Sequence, residues 1–256
     1  MVTTLTQAAF DARAVGERVE YRVLAPADHR PGEPLPFLLH LHAALSASDS
    51  LARARPLYDA AIAAGAFPRA IVACPSTPTA GGFYIGGWEA LVADEFPAHI
   101  AERFGPPTAT AALGASMGGY GALKLAFADP GRFVAAAAIS PAVFPGETPD
   151  AVPERNIPSV LGELHRAMAP DYAAESVHGR ARANADAIRS AAPRLLIDCG
   201  AADEFLLHEG AAFLHGVLDE LGIAHEYRLV PGAGHVDAHA ERRTADAIRF
   251  AGAALS

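Results

Sequence analysis

The chain has 256 residues, 51% hydrophobic and 19% charged, which is enough apolar material for one large domain with a sizeable core. Twenty basic against 29 acidic residues give a formal charge of −9, which argues against the clustered basic surface that nucleic acid or an anionic membrane requires. No run approaches the roughly 18 apolar residues of a membrane span, and the first 20 residues lack a basic region followed by an apolar core. Cys74 and Cys199 are too few for a disulfide framework. The expectation is a cytoplasmic protein that binds neither membrane nor nucleic acid. Lys124 is the only lysine, a bias that a GC-rich genome explains.

Short apolar runs alternate with helical patterns, the signature of a mostly parallel α/β sheet flanked by helices. Strands are expected at Arg18–Leu24, Phe37–His42, Ala70–Pro75, Thr108–Gly114, Phe133–Ser140, Arg194–Gly200 and Glu226–Pro231. Val92, Phe96, Ile100 and Phe104 recur every four residues as one helical stripe, with Pro97 forcing a kink or a late start. Leu206, Phe213, Val217 and Leu221 suggest a second helix, and Ala238–Leu255 a closing one. The segment Pro145–Pro193 is too long for a simple crossover and holds six prolines. It reads as a partly helical cap inserted within a single domain spanning residues 1–256.

Chemistry enters at Gly114-Ala115-Ser116-Met117-Gly118, a G-x-S-x-G sequence between an expected strand and an expected helix. Such a turn lifts the serine above the sheet edge, and flanking glycines let strand and helix backbones approach. The helix N-terminus offers free N–H groups to a developing oxyanion. A serine needs a base, itself held by an acid, and the chain supplies candidates in the order Ser…Asp…His. Asp203 lies just past the strand ending at Gly200, and His235 follows a glycine turn after the strand ending at Pro231. Rivals for the acid are Asp198, inside its strand, and Asp237, two residues from the histidine. His208, His215 and His225 look like solvated positions, and His239 starts the last helix. Oxyanion donors are expected from Met117 N–H and from the loop His42-Ala43-Ala44-Leu45, with Ala44 favoured over Ala43.

The run Gly114–Leu123, with Ala128-Asp129-Pro130-Gly131-Arg132-Phe133 and Ile139-Ser140-Pro141, resembles the esterase-D branch of the α/β-hydrolases. That branch includes S-formylglutathione hydrolases, feruloyl and acetylxylan esterases, and mycolyltransferases. Asp198–Leu206 is similar to its acid-bearing segment and Gly234-His235 to its histidine loop. The resemblance implies an α/β-hydrolase fold with Ser116 as nucleophile, Asp203 as acid and His235 as base. It also implies that Phe83, Tyr84 and Trp88 line the substrate pocket; Tyr120, Val143 and Phe144 are further candidates for substrate contact. The chain has His42-Ala43 where the family has His-Gly, and Tyr120 where formylglutathione hydrolases carry histidine.

The expected activity is a serine carboxylesterase acting on small or medium acyl esters with no cofactor, with thioester hydrolysis or acyl transfer possible on the same triad. A metal-dependent hydrolase is the second reading, since His40 and His42 share a strand face and His235 and His239 form another pair. Neither pair supplies the three or four ligands of a zinc site, so no metal is assigned. A non-catalytic scaffold of the same fold is the third. The sequence is silent on the physiological ester and on oligomeric state.

Overall fold

The computed structural model describes residues 2–78 and 82–256. Its strands are β1 (Thr3–Ala12), β2 (Glu17–Pro26), β3 (Leu35–Leu41), β4 (Ile71–Pro75), β5 (Pro107–Ala115), β6 (Ala135–Ile139), β7 (Arg194–Gly200) and β8 (Glu226–Val230). They form one sheet in the order β1-β2-β4-β3-β5-β6-β7-β8. The β1–β2 and β2–β4 pairings are antiparallel, and every pairing from β4 through β8 is parallel. The helices are α1 (Asp49–Ala63), α2 (Gly87–Ala90), α3 (Phe96–Phe104), α4 (Met117–Ala128), α5 (Val160–Met168), α6 (Tyr172–Glu175), α7 (Val177–Ala183), α8 (Ala185–Ala191), α9 (Leu207–Glu220) and α10 (Ala240–Leu255). No helix among the described residues is long and apolar enough to cross a membrane.

The central strands read as largely apolar runs because both of their faces are covered. All five residues of β6 are buried, four of them alanines, and this small surface lets α4 pack on one face and α10 on the other. The core divides accordingly. Leu38, Leu113, Ala137, Leu196 and Ile248 meet α1 on one side of the sheet. Leu39, Phe96, Leu123, Leu164 and Leu214 form the larger cluster on the other.

The segment after β6 carries α5 to α8 and is continuous with that larger cluster through Leu161, Met168, Tyr172, Val177 and Ile188. It is bound along α4. Tyr120 Oη donates to the Glu175 carbonyl at 2.8 Å, and Asn184 Nδ2 donates to the Phe127 carbonyl at 2.8 Å. Lys124, wholly buried, donates to the Tyr84 carbonyl at 2.8 Å and pairs with Glu175 and, at 2.9 Å, with Glu89. Arg180 on α7 grips the same Glu89 with two nitrogens. The only lysine of the chain therefore joins the helix after Ser116 to the inserted helices.

Two local expectations change, at β1 and at the start of α9, and a third, at α3, holds. The sequence reading had no strand before Arg18, yet β1 pairs with β2 along its whole length. As an edge strand it is only partly buried, so its apolar alternation is weak. The Val92–Phe104 stripe is buried or half-buried as expected; a π-helical turn at Leu91–Glu95 precedes α3, whose first turn takes Pro97, where a missing N–H is harmless. In α9 Val217 is buried and Phe213 and Leu221 are half-buried, but Leu206 is in a left-handed conformation outside the helix, and Leu207, Ala211, Leu214 and Leu218 complete the inward face.

Candidate active site

Strand register brings three chain ends together at one rim. Ala115 of β5 pairs with Ile139 of β6, which pairs with Asp198 of β7. Ser116 follows Ala115 directly and adopts φ 55°, ψ −116° as the residue preceding α4. Positive φ is costly for a residue with a Cβ, and such strain is held only where the surroundings over-determine it. The glycines around it explain how. A Cβ on Gly114 would lie 2.3 Å from the Gly118 backbone, and one on Gly118 would lie 2.0 Å from the Leu41 carbonyl oxygen. Strand β5, helix α4 and the end of β3 therefore touch backbone to backbone around the serine. The N–H groups of Met117, Gly118 and Gly119 open α4 and have no acceptor within the helix.

The loop after β3 abuts this turn. His42 is buried; its Nε2 accepts the Thr77 N–H at 2.9 Å, so its Nδ1–H donates to the Ala43 carbonyl at 2.8 Å. Burial pushes the His42 imidazole below its usual range, which keeps it neutral. Because a trans peptide is planar, fixing the Ala43 carbonyl also fixes the Ala44 N–H, which points the opposite way. Ala44 is half-buried and Leu45 exposed.

At the far side, His235 Nδ1 and Asp203 Oδ2 are 2.8 Å apart, and the Asp203 side chain is wholly buried. The other oxygen of Asp203 accepts the Phe205 N–H at 3.0 Å. Burial alone would push the Asp203 carboxyl up; the hydrogen bond and charge of His235, the Phe205 N–H and the Ser140 hydroxyl outweigh it and hold the group below its ordinary value. Glu204 accepts the His235 backbone N–H at 2.7 Å, and the Phe205 ring stands edge-on to the imidazole at 4.9 Å. No hydrogen bond joins the Ser116 hydroxyl to His235 among the described residues.

The rivals have other employment. Asp237 accepts the Gly234 N–H at 2.6 Å and the His239 N–H at 2.8 Å, so it ties its own loop together. Asp198 is buried and accepts Arg243 Nε at 2.5 Å. His40 meets the Tyr58 hydroxyl at 3.0 Å, and burial pulls its imidazole down to about 4.

Arg243 escaped the sequence reading and organises the rim. Its guanidinium donates to Asp198 Oδ1, to the Ser140 hydroxyl at 2.9 Å and to the Gly234 carbonyl at 3.1 Å. It thereby draws the histidine loop over β7, where a Cβ on Gly200 would collide with the Ala233 carbonyl at 2.3 Å. The available signal was its place four residues before Ala247 on the stripe that continues to Ala251 and Leu255, all buried. Glu204 and Ser140 were also missed as supports.

The expected pocket residues pack against the core. Phe83, Tyr84, Tyr120, Val143 and Phe144 are buried in the larger core cluster, and Trp88 is half-buried beside it. Tyr84 donates to the His42 carbonyl at 3.1 Å, and its ring lies against Gly121 of α4. Beside the rim, on the α1 and α10 side, a cavity of about 430 Å³ is lined by Ala43, Ser46, Arg53, Leu57, Ala115 and Thr244 among others. A cavity of about 320 Å³, bounded by Leu35, Ile71 and Pro107, lies at the opposite ends of the strands.

Comparison with known proteins adds the family. The family model described as "Putative esterase" matches residues 12–240. Among curated proteins there is no match. A solved ferulic acid esterase is similar at TM-score 0.78 and 19% identity, with 99% of each chain covered. An S-formylglutathione hydrolase from Agrobacterium tumefaciens is similar at TM-score 0.74 and 20% identity, covering 100% of this chain and 96% of that one. A fluorophosphonate-binding serine hydrolase of Staphylococcus aureus, FphF, reaches TM-score 0.76 at 19% identity, covering 98% and 99%. At such identities the likeness establishes the α/β-hydrolase fold. With the family model spanning most of its length, the chain belongs to the Esterase family.

Proposed function

We propose that the chain is a serine carboxylesterase that hydrolyses small or medium acyl esters through an acyl-enzyme on Ser116. The observation that carries this reading is the hydrogen bond from His235 to the wholly buried Asp203, beyond the end of β7 at the same sheet rim as the strained turn at Ser116. Ser116 Oγ attacks the ester carbonyl while His235 Nε2 takes its proton, and Asp203 holds the imidazole in the required tautomer. The N–H groups of Met117 and Ala44 bind the oxyanion. His235 then protonates the departing alcohol and activates the water that releases the acid, and the cycle calls for no cofactor.

The family supports the size class, since its structural neighbours include a ferulic acid esterase and an S-formylglutathione hydrolase. The 145–193 segment acts as a cap within a single domain and sets selectivity, held to α4 by the Lys124–Glu175 pair. Two buried free thiols, Cys74 and Cys199, suit a reducing cytoplasmic location. A panel of p-nitrophenyl esters of graded chain length, with feruloyl, acetyl-sugar and thioester substrates beside it, tests the reading. Turnover peaking at short or medium acyl esters is expected. A strong preference for thioesters, or for long chains at an interface, would overturn the substrate class.

A further inference from the structure

At the ends of β7 and β8 remote from Ser116, three side chains outside the esterase site converge. His215 lies on α9, Asp219 one turn further along the same helix, and His225 in the short connection to β8. His215 Nδ1 faces His225 Nε2 at 2.8 Å, and His215 Nε2 is 3.6 Å from Asp219 Oδ2. One donor atom from each residue lies within 4.8 Å of the other two. Both histidines, expected from the sequence to be solvated, face one another and are half-buried.

Both imidazoles are held in place before any ligand arrives. His225 Nδ1 can meet only the Ile223 carbonyl, at 2.8 Å, so it carries the proton and leaves the Nε2 lone pair aimed at His215. That backbone contact to the remote nitrogen is the support metal-ligating histidines ordinarily have. The His215 ring is stacked on Tyr227 at 4.4 Å with planes 18° apart, which fixes its rotation. Two Zn–N bonds of about 2.0–2.1 Å at a tetrahedral angle place the nitrogens roughly 3.3 Å apart. In the free protein His215 Nδ1–H donates across the 2.8 Å contact; ion binding moves that proton to His215 Nε2, on the Asp219 side of the ring, and a widening of about half an ångström then admits the ion. The His215 and Asp219 side chains remain accessible, at 37% and 64%, so an entry path and room for a completing water exist.

We propose that His215, Asp219 and His225 form a binding site for a borderline divalent transition-metal ion, with Zn²⁺ the best fit. Two imidazoles and one carboxylate favour such an ion over Mg²⁺ or Ca²⁺, which need mostly oxygen donors. The site is a structural clip. It joins the end of α9 to β8, the edge strand of the sheet, across the five-residue span Leu221–His225. Strand β8 has five residues, roughly 17 Å of chain at about 3.3 Å per residue, between this cluster and the loop bearing His235. The bound ion therefore takes no part in ester hydrolysis.

The test uses the full chain without a polyhistidine tag, stripped with EDTA and titrated with ZnCl₂ by calorimetry at pH 7.5. One saturable equivalent is expected. His215→Ala and His225→Ala should each weaken binding at least 10-fold, and Asp219→Asn several-fold. Zn²⁺ should raise the unfolding midpoint of the wild type, and not that of the double histidine variant. EDTA should leave kcat/KM unchanged. All three positions are partly exposed, so folding of each variant is confirmed by circular dichroism; Asp219→Asn keeps the test decisive should a histidine variant unfold. No stoichiometric binding, or binding undiminished in the double variant, overturns the proposal. Esterase activity that vanishes with EDTA would overturn the peripheral placement.

Discussion

Replacing Gly118 by alanine separates two effects that push in opposite directions. Gly118 is the second residue of α4, where alanine is intrinsically better than glycine by about 1 kcal/mol. Its new Cβ, however, would sit 2.0 Å from the Leu41 carbonyl oxygen and 2.9 Å from that of His42. Ordinary contact begins near 3.4 Å, so the backbones must part by more than 1 Å. Both oxygens belong to main chain at the end of a central strand, and neither can swing aside. Overpacking of this kind costs about 1–3 kcal/mol, which cancels or exceeds the helical gain. Activity should suffer more. The displacement separates the Met117 N–H from the Ala44 N–H, and misplacement by about 1 Å costs on the order of 10²-fold in rate. Gly216→Ala is the matched control, since nothing lies within 4 Å of its Cβ in the middle of α9. The control should gain about 0.5–1 kcal/mol and keep its kcat/KM. Denaturant titration and p-nitrophenyl acetate hydrolysis read both variants. A Gly118→Ala protein as active as wild type would refute the close approach of α4 to β3 as the basis of the oxyanion site.

Three further outcomes follow from the rim. Asp203→Asn should lower kcat/KM at least about 10²-fold, whereas Asp237→Asn should change it little, because Asp237 bonds only its own loop backbone; steady-state kinetics on the two variants decide it. The Asp203 carboxyl is held below its ordinary value, so the stability it adds is present above the unfolded value near about 3.9 and is lost as pH falls through the lower folded value. Urea midpoints measured on acidification should therefore fall less steeply in Asp203→Asn than in wild type over that window. Arg243→Met strands the buried Asp198 carboxylate and should cost about 3–5 kcal/mol; Arg243→Met with Asp198→Leu should recover most of that stability by denaturant titration. In the double variant kcat/KM should stay low, because the Gly234 carbonyl has lost the guanidinium that holds the histidine loop.

The central strands were legible because they are covered on both faces along most of their length and so appear as short, largely apolar runs. Strand β7 begins and ends where the sequence places it, at Arg194 and Gly200. Strand β1 was not legible, since an edge strand half-open to solvent carries little periodic signal. Ser116, Asp203 and His235 could be selected because each lies just beyond the end of a strand, and topology gathers such positions at one rim. Their supports could not. Arg243 sits beside Arg242 in a sequence that reads as a solvated helical surface, and only its phase relative to Ala247 and Ala251 turns it inward. Glu204 contacts the His235 main chain through a loop whose course no local pattern encodes. The hydroxyls of Tyr84 and Tyr120 bond backbone carbonyls of His42 and Glu175, partners that no local pattern encodes.

The central claim is that Ser116 is the nucleophile, and a fluorophosphonate probe addresses it directly. Wild-type protein incubated with the probe should gain one adduct by intact mass, and peptide mapping should place it on Ser116 within Gly114–Gly118. Ser116→Ala should take up none and lose several orders of magnitude in kcat, with an unfolding midpoint close to wild type because only a hydroxyl is removed. A labelled Ser116→Ala protein, or one that keeps most of its esterase activity, would contradict the account.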